Sequence, residues 1–180
     1  MLGSCKKDNS SNTATAGIQG TYTLKYVTAN TSSTLTGSDG EKSVTTSDYT
    51  TINNQGTLVF DKSNLTATGL SYSVDTQAKY YLYQDAQLID SSSFPFTYTL
   101  PASNSVTAYK LIGADSIYFP QGSVGGTGST PSGAIGGRYH LNGNLLTIIE
   151  TGSKDSTFED TGVTFHLNES AVSSVVMQKQ

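Results

Sequence analysis

A chain of 180 residues with a formal net charge of −4 and a pI of about 4.9 fits one domain and argues against a phosphate backbone as a partner. The 11 tyrosines and 6 phenylalanines argue against disorder, and no apolar run approaches the roughly 20 residues that span a bilayer. The single cysteine excludes both an internal disulfide framework and a multi-thiolate metal site.

The chain begins with Leu2-Gly3-Ser4-Cys5, an aliphatic residue and two small residues before cysteine. This order is that of a bacterial lipobox, in which the cysteine sulfur carries the lipid. The polar segment that follows, Lys6 to Gly17, is typical of a flexible tether. We therefore predict a lipobox remnant and tether over residues 1–17, with lipid attachment at Cys5 and a leader upstream. A chance match or a cloning remnant is the alternative.

Residues 18–180 are predicted to form one β-domain, because apolar and polar residues alternate with the period of a strand. Its first half predicts strands over 20–29, 56–61, 65–74, 78–90 and 94–100, with a turn at 75–77. Residues 106–119 predict a hairpin that turns at 113–115.

The second half of the domain contains a Gly/Ser-rich loop at 121–137 and two further predicted hairpins. Asn142-Gly143 supplies the turn of the first hairpin, since both residues tolerate positive φ. Residues 168–170 are predicted to turn the second. The sequence thus predicts an all-β, antiparallel, up-and-down meander that closes into a β-barrel of about 8–10 strands. A two-sheet β-sandwich is the alternative.

The opening of the first strand, Gly20-Thr21-Tyr22, resembles the start of lipocalin barrels, and more closely that of lipocalin-like lipoproteins of the Bacteroidetes. The resemblance implies a lipocalin-like barrel with Gly20 and Tyr22 at its closed end, where the glycine turns the chain and the ring plugs the barrel. In place of the tryptophan and terminal arginine of lipocalins, this chain has Tyr22 and, near the expected place, Lys179.

Tyrosines are the candidate binding residues, because each offers apolar area together with a hydroxyl group. We predict that Tyr72, Tyr81, Tyr83, Tyr98 and Tyr109 line a ligand pocket or its rim, unless they fill the core. The strand period places His140 and His166 away from the interior, so no metal site and no cofactor are expected.

The prediction for the whole chain is a non-catalytic, lipid-anchored protein of the bacterial cell envelope, at the outer membrane. Its expected partners are the membrane, through the N-terminal lipid, and a small hydrophobic ligand. No nucleic acid is expected. The alternative is a β-sandwich adhesion or glycan-binding module. No catalytic motif, such as Gly-x-Ser-x-Gly or His-Glu-x-x-His, occurs in the sequence.

Overall fold

A computed structural model describes residues 17–124 and 134–180, and these residues form ten β-strands and no helix. The predicted tether and Cys5 lie outside the described residues, apart from Gly17. The strands are β1 (Gly20–Gly37), β2 (Glu41–Thr50), β3 (Ile52–Phe60), β4 (Asn64–Gln84), β5 (Gln87–Ala108), β6 (Lys110–Ile112), β7 (Ser116–Phe119), β8 (Ile135–Asn142), β9 (Leu145–Asp160) and β10 (Val163–Lys179).

Strands β2 and β3 follow one another along β1, with a break between them at Thr51. The distal part of β1 pairs with β2, and its first residues pair with β3. At the break, the Val27 amide donates to Thr51 Oγ1 at 2.8 Å, and the Thr51 amide donates to the Val27 carbonyl at 2.8 Å. Thr51 is buried, and these bonds satisfy its backbone and side chain where the ladder is interrupted.

The ten strands form a single antiparallel sheet in the order β2-β4-β3-β1-β10-β9-β8-β7-β6, with β5 on the free side of β4 and an added β1–β2 pairing. The predicted all-β antiparallel meander is therefore confirmed. The ladder differs from a regular barrel because it closes only through the ring of β1, β2, β4 and β3. Among the described strands, β5 and β6 do not pair with each other.

The hydrophobic core lies at one end of the long strands, which we name the proximal end. Four buried aromatic rings form a row across it: Tyr22 to Phe60 with centroids 5.7 Å apart, Phe60 to Tyr109 at 5.4 Å, and Tyr109 to Phe119 at 6.4 Å. These rings come from β1, β3, the β5–β6 junction and β7. The aromatic row therefore links β1 and β3, in the middle of the sheet order, with β7 near its end.

The distal ends of the long strands are polar and carry three tight turns, at 38–40, 85–86 and 161–162. Two-residue loops at Asp85-Ala86 and Thr161-Gly162 adopt positive φ at both positions, as type I′ hairpins require. The predicted turns at 75–77 and 168–170 are wrong, since those residues lie inside β4 and β10. Asp75 and Asn168 are exposed, so their polar side chains are tolerated in a strand here.

The hairpins predicted at 113–115 and around Asn142-Gly143 are confirmed. The second turn lies one residue later than predicted, because Asn142 pairs with Leu145 and leaves Gly143 and Asn144 in the loop.

Candidate functional site

A cavity of about 440 Å³ lies next to the core, between the inner face of the distal sheet and the start of the β7–β8 connection. It is lined by three buried residues at the edge of the core, Tyr72, Val74 and Ile135. Its other aromatic side chains are Tyr49 from β2 and Phe96 and Tyr98 from β5, and its charged side chains are Glu150, Lys154 and Glu169.

The cavity exists because the strand register places small residues in one cross-strand row of its wall. Gly152 pairs with Ala171, Ala171 with Thr31, and Thr31 with Ser47. Paired residues project from the same face, so this row lies on the inner face of the sheet. The Thr31 and Ser47 hydroxyls are hydrogen-bonded at 2.7 Å. With no large side chain in this row, space remains above the core.

Tyr49, Tyr72 and Tyr98 form an electrostatically coupled group in the cavity. Burial raises the pKa of Tyr72 far above its ordinary value, and the nearby Tyr49 and Tyr98 phenols raise it further. Burial also raises the pKa of Tyr49, with a smaller effect of Tyr98. The raised pKa values keep the Tyr49 and Tyr72 hydroxyl groups neutral at neutral pH.

Glu150 is the one charged residue among the buried side chains of the described chain, and it is only 3% exposed. Its Oε1 accepts a hydrogen bond from the Val124 amide at 3.0 Å. The adjacent Ser123 also lines the cavity, and its buried hydroxyl has no hydrogen-bond partner among the described residues. Lys154 and Glu169 lie farther out and approach each other to 4.0 Å.

The predicted tyrosines divide into three groups in the structure. Tyr72 and Tyr98 line the cavity. Tyr81 and Tyr83, at odd offsets from Tyr72 along β4, project from the opposite face, where the Lys42 ammonium lies 5.8 Å from the Tyr83 ring centroid. Tyr109 is buried in the aromatic row, and its hydroxyl donates to the Asp61 carbonyl.

Sequence reasoning missed Tyr49, Phe96 and Glu150 as cavity residues. Tyr49 occurs in a polar stretch that resembles a loop, although its neighbours Ser47 and Thr51 share its parity and are compatible with a strand. Glu150 ends the apolar run Leu145–Ile149, where a carboxylate is typical of a solvated strand end. Only the pairing of β9 with β10 shows that it is buried.

The proximal end carries the residues that the lipocalin resemblance singled out. Tyr22 is fully buried, and its hydroxyl donates to the Ile18 carbonyl at 2.9 Å. The Lys179 ammonium lies 5.9 Å from the centroid of the Tyr22 ring. Gly20 has φ of +144°, and a Cβ atom there would lie 2.8 Å from Lys179 Cε. A glycine is therefore needed for the lysine to reach the ring.

The two histidines lie away from the cavity. His166 Nδ1 is 3.0 Å from the Thr157 hydroxyl on the exposed face, and His140 is exposed on β8. Within residues 17–124 and 134–180, no three His, Cys, Asp or Glu side chains are placed to hold a metal ion.

Tyr109 gives the fold a measurable dependence on alkaline pH. Burial, followed by the Asp61 and Tyr22 charges, raises the pKa of Tyr109 to about 12. An unfolded tyrosine has a pKa of about 10, so between about pH 10 and 12 the folded state binds more protons than the unfolded state. The free energy of unfolding should therefore fall as pH rises through this interval. Tyr109→Phe should flatten that fall in urea titrations, and an unchanged pH dependence would contradict the assignment.

In the described part of the chain, no helix has the length and apolar character needed to cross a membrane. Comparisons with protein-family models, curated proteins and solved structures found no match to this chain. The functional assignment therefore rests on the geometry of the cavity and on the sequence.

Proposed function

We propose that this protein is a non-catalytic binding protein of the bacterial cell envelope, anchored through lipid on Cys5, that holds a small, largely apolar ligand in its cavity. The observation that carries the proposal is the cavity of about 440 Å³ lined by Tyr49, Tyr72, Phe96 and Tyr98. Small-molecule sites typically enclose roughly 300–1,000 Å³ and combine aromatic walls with a few polar groups.

The position of the cavity supports a binding role. It adjoins a packed core, so the aromatic side chains at its floor are held by their neighbours, which limits the entropy lost on binding. Tyr49 and Phe96 pack with ring centroids 6.4 Å apart at the side of the cavity. A ligand that fills the row of small residues would complete the packing that the sheet lacks there.

The anchor is supported by the order of residues at the start of the chain and by the direction in which the chain enters the domain. Ile18 is fully buried beside Tyr22 at the proximal end, whereas the cavity lies on the distal side of the core. A tether that ends at Ile18 would therefore hold the proximal end toward the membrane. The cavity would face away from it and stay accessible to ligand.

Filling the row of small residues should abolish ligand binding. Ala171 lines the cavity, and Ala171→Phe places a ring in it. We expect the fluorescence enhancement of N-phenyl-1-naphthylamine, a neutral apolar probe, to be lost in this variant and retained in the unmodified protein. The measurement is a fluorescence titration with the probe.

The matched control is Val172→Phe, because Val172 follows Ala171 in β10 but points to the opposite face and is 46% exposed. This variant should bind the probe like the unmodified protein. Equal loss in both variants, or binding unaffected by Ala171→Phe, would place the binding elsewhere and refute the cavity as the site.

The anchor is tested on the gene with its upstream region, expressed in a bacterial host of the Bacteroidetes. We expect mass spectrometry of detergent-extracted protein to show a diacylglycerol-modified cysteine at position 5 as the first residue. Cys5→Ser should shift the protein from the membrane fraction to the soluble fraction. An unmodified thiol in the membrane-extracted protein would refute the anchor.

A further inference from the structure

We infer that the ligand of the cavity carries a hydroxyl or carbonyl oxygen on its apolar body, and that this oxygen forms a hydrogen bond with the Ser123 hydroxyl. The inference rests on the proposed function, since it specifies the ligand class of the same cavity. Three observations carry it: the missing partner of the Ser123 hydroxyl, the contacts that hold the neighbouring backbone, and the satisfied hydroxyls and aromatic rings elsewhere in the lining.

The Ser123 hydroxyl is the only buried side-chain polar group without a hydrogen-bond partner among residues 17–124 and 134–180. Burying a hydroxyl without a partner is unfavourable, and folded proteins rarely leave one unpaired. Ser123 lines the cavity, where a bound molecule can supply the missing partner. A ligand that displaces water from such a hydroxyl without offering a polar atom loses affinity. The cavity therefore favours a ligand with a polar atom at this point.

The backbone next to Ser123 is held by two contacts of Val124. The Val124 side chain is 3% exposed and belongs to the hydrophobic core. The Val124 amide donates a hydrogen bond to Glu150 Oε1 at 3.0 Å. Because the adjoining residue is fixed in this way, little conformational entropy is lost when the Ser123 hydroxyl binds a ligand oxygen. A serine hydroxyl both donates and accepts, so an alcohol and a carbonyl are each suitable partners.

The lining elsewhere suits the apolar body of the ligand. The hydroxyls of Thr31 and Ser47, in the row of small residues, are hydrogen-bonded to each other at 2.7 Å. They therefore do not depend on a ligand for a partner. Phe96 and Tyr98 line the same cavity and offer aromatic surface. A ligand that is polar at one point and apolar over the rest of its surface matches this arrangement.

The test compares 2-naphthol with 2-methylnaphthalene, which share a ring system and differ in a hydroxyl and a methyl group of similar size. Isothermal titration calorimetry gives their dissociation constants for the unmodified protein. The reference is the ratio of their water-to-cyclohexane partition coefficients, because cyclohexane offers no hydrogen bond. Relative to this reference, we expect the protein to favour 2-naphthol by at least about tenfold, since it adds the hydrogen bond that cyclohexane lacks.

A variant assigns this hydrogen bond to Ser123. Ser123→Ala should weaken the binding of 2-naphthol by about three- to tenfold, because one hydrogen bond is lost. It should leave the binding of 2-methylnaphthalene unchanged or strengthen it, since that ligand leaves the serine hydroxyl unpaired. The matched control is Ser174→Ala, because Ser174 lies on β10 and does not line the cavity. This control should alter neither affinity.

The outcomes separate the inference from the proposed function. A protein ratio equal to the cyclohexane ratio would overturn the hydrogen bond while leaving an apolar binding cavity, and this comparison stands even if Ser123→Ala does not fold. An excess for 2-naphthol that Ser123→Ala leaves intact would overturn the assignment to Ser123, as would equal losses in Ser123→Ala and Ser174→Ala. The absence of binding by both ligands, together with failure of the neutral probe, would overturn the proposed function itself.

Discussion

The structure depends on the buried aromatic row Tyr22, Phe60, Tyr109 and Phe119, because no hydrogen-bonded ladder joins the two free ends of the described sheet. Without those rings, no chain of ring contacts would link β7 with β3, and the core that the folded sheet buries would lose four of its largest side chains. Burial of four large aromatic side chains is favourable by several kcal/mol, about 1.5–3 for each fully buried large apolar side chain. Side-chain packing therefore holds the folded sheet together in this protein, whereas hydrogen bonds between the first and last strands do so in a regular barrel.

The cavity is a direct consequence of where this packing ends. Large side chains fill the proximal end, and the next rows along the same strands change to Gly, Ala, Ser and Thr, so the inner face of the sheet continues but nothing fills the space in front of it. The distal strands are held mainly by their backbone pairing and tight turns. Glu150 lies at the boundary between the two regions, where it is 3% exposed and lines the cavity. The proposed site at this boundary would have the packed core as its floor and the row of small residues as its wall.

The sequence predicts the architecture well and the site only in part, for one physical reason. Alternation of apolar and polar residues is strong where one sheet face is buried, so the proximal strands, the meander and the hairpin near Asn142 are predictable. It fades in the distal half, where both faces contact water, and residues 75–77 and 168–170 there resemble turns although they are strand. The two-residue repeat of a strand also places Tyr72 and Tyr81 on opposite faces of the sheet. Only cross-strand pairing, however, brings Tyr49, Phe96 and Glu150 to the same cavity. Tyr49 pairs with Ala29, Ala29 with Ser173, and Ser173 with Glu150. The pairing of Ala29 with Ser173 connects residues more than one hundred positions apart, which no local pattern encodes.

The most direct test of the account is the urea unfolding of Phe60→Ala beside that of Phe94→Ala, followed by circular dichroism. Phe60 is 2% exposed in the aromatic row, whereas Phe94 is 42% exposed on β5. The account predicts a loss of about 3–5 kcal/mol in the free energy of unfolding for Phe60→Ala, since a buried ring leaves a cavity behind. It predicts a loss of less than about 1 kcal/mol for Phe94→Ala, as for most exposed side chains. Similar losses for the two variants would show that the aromatic row does not hold the sheet together.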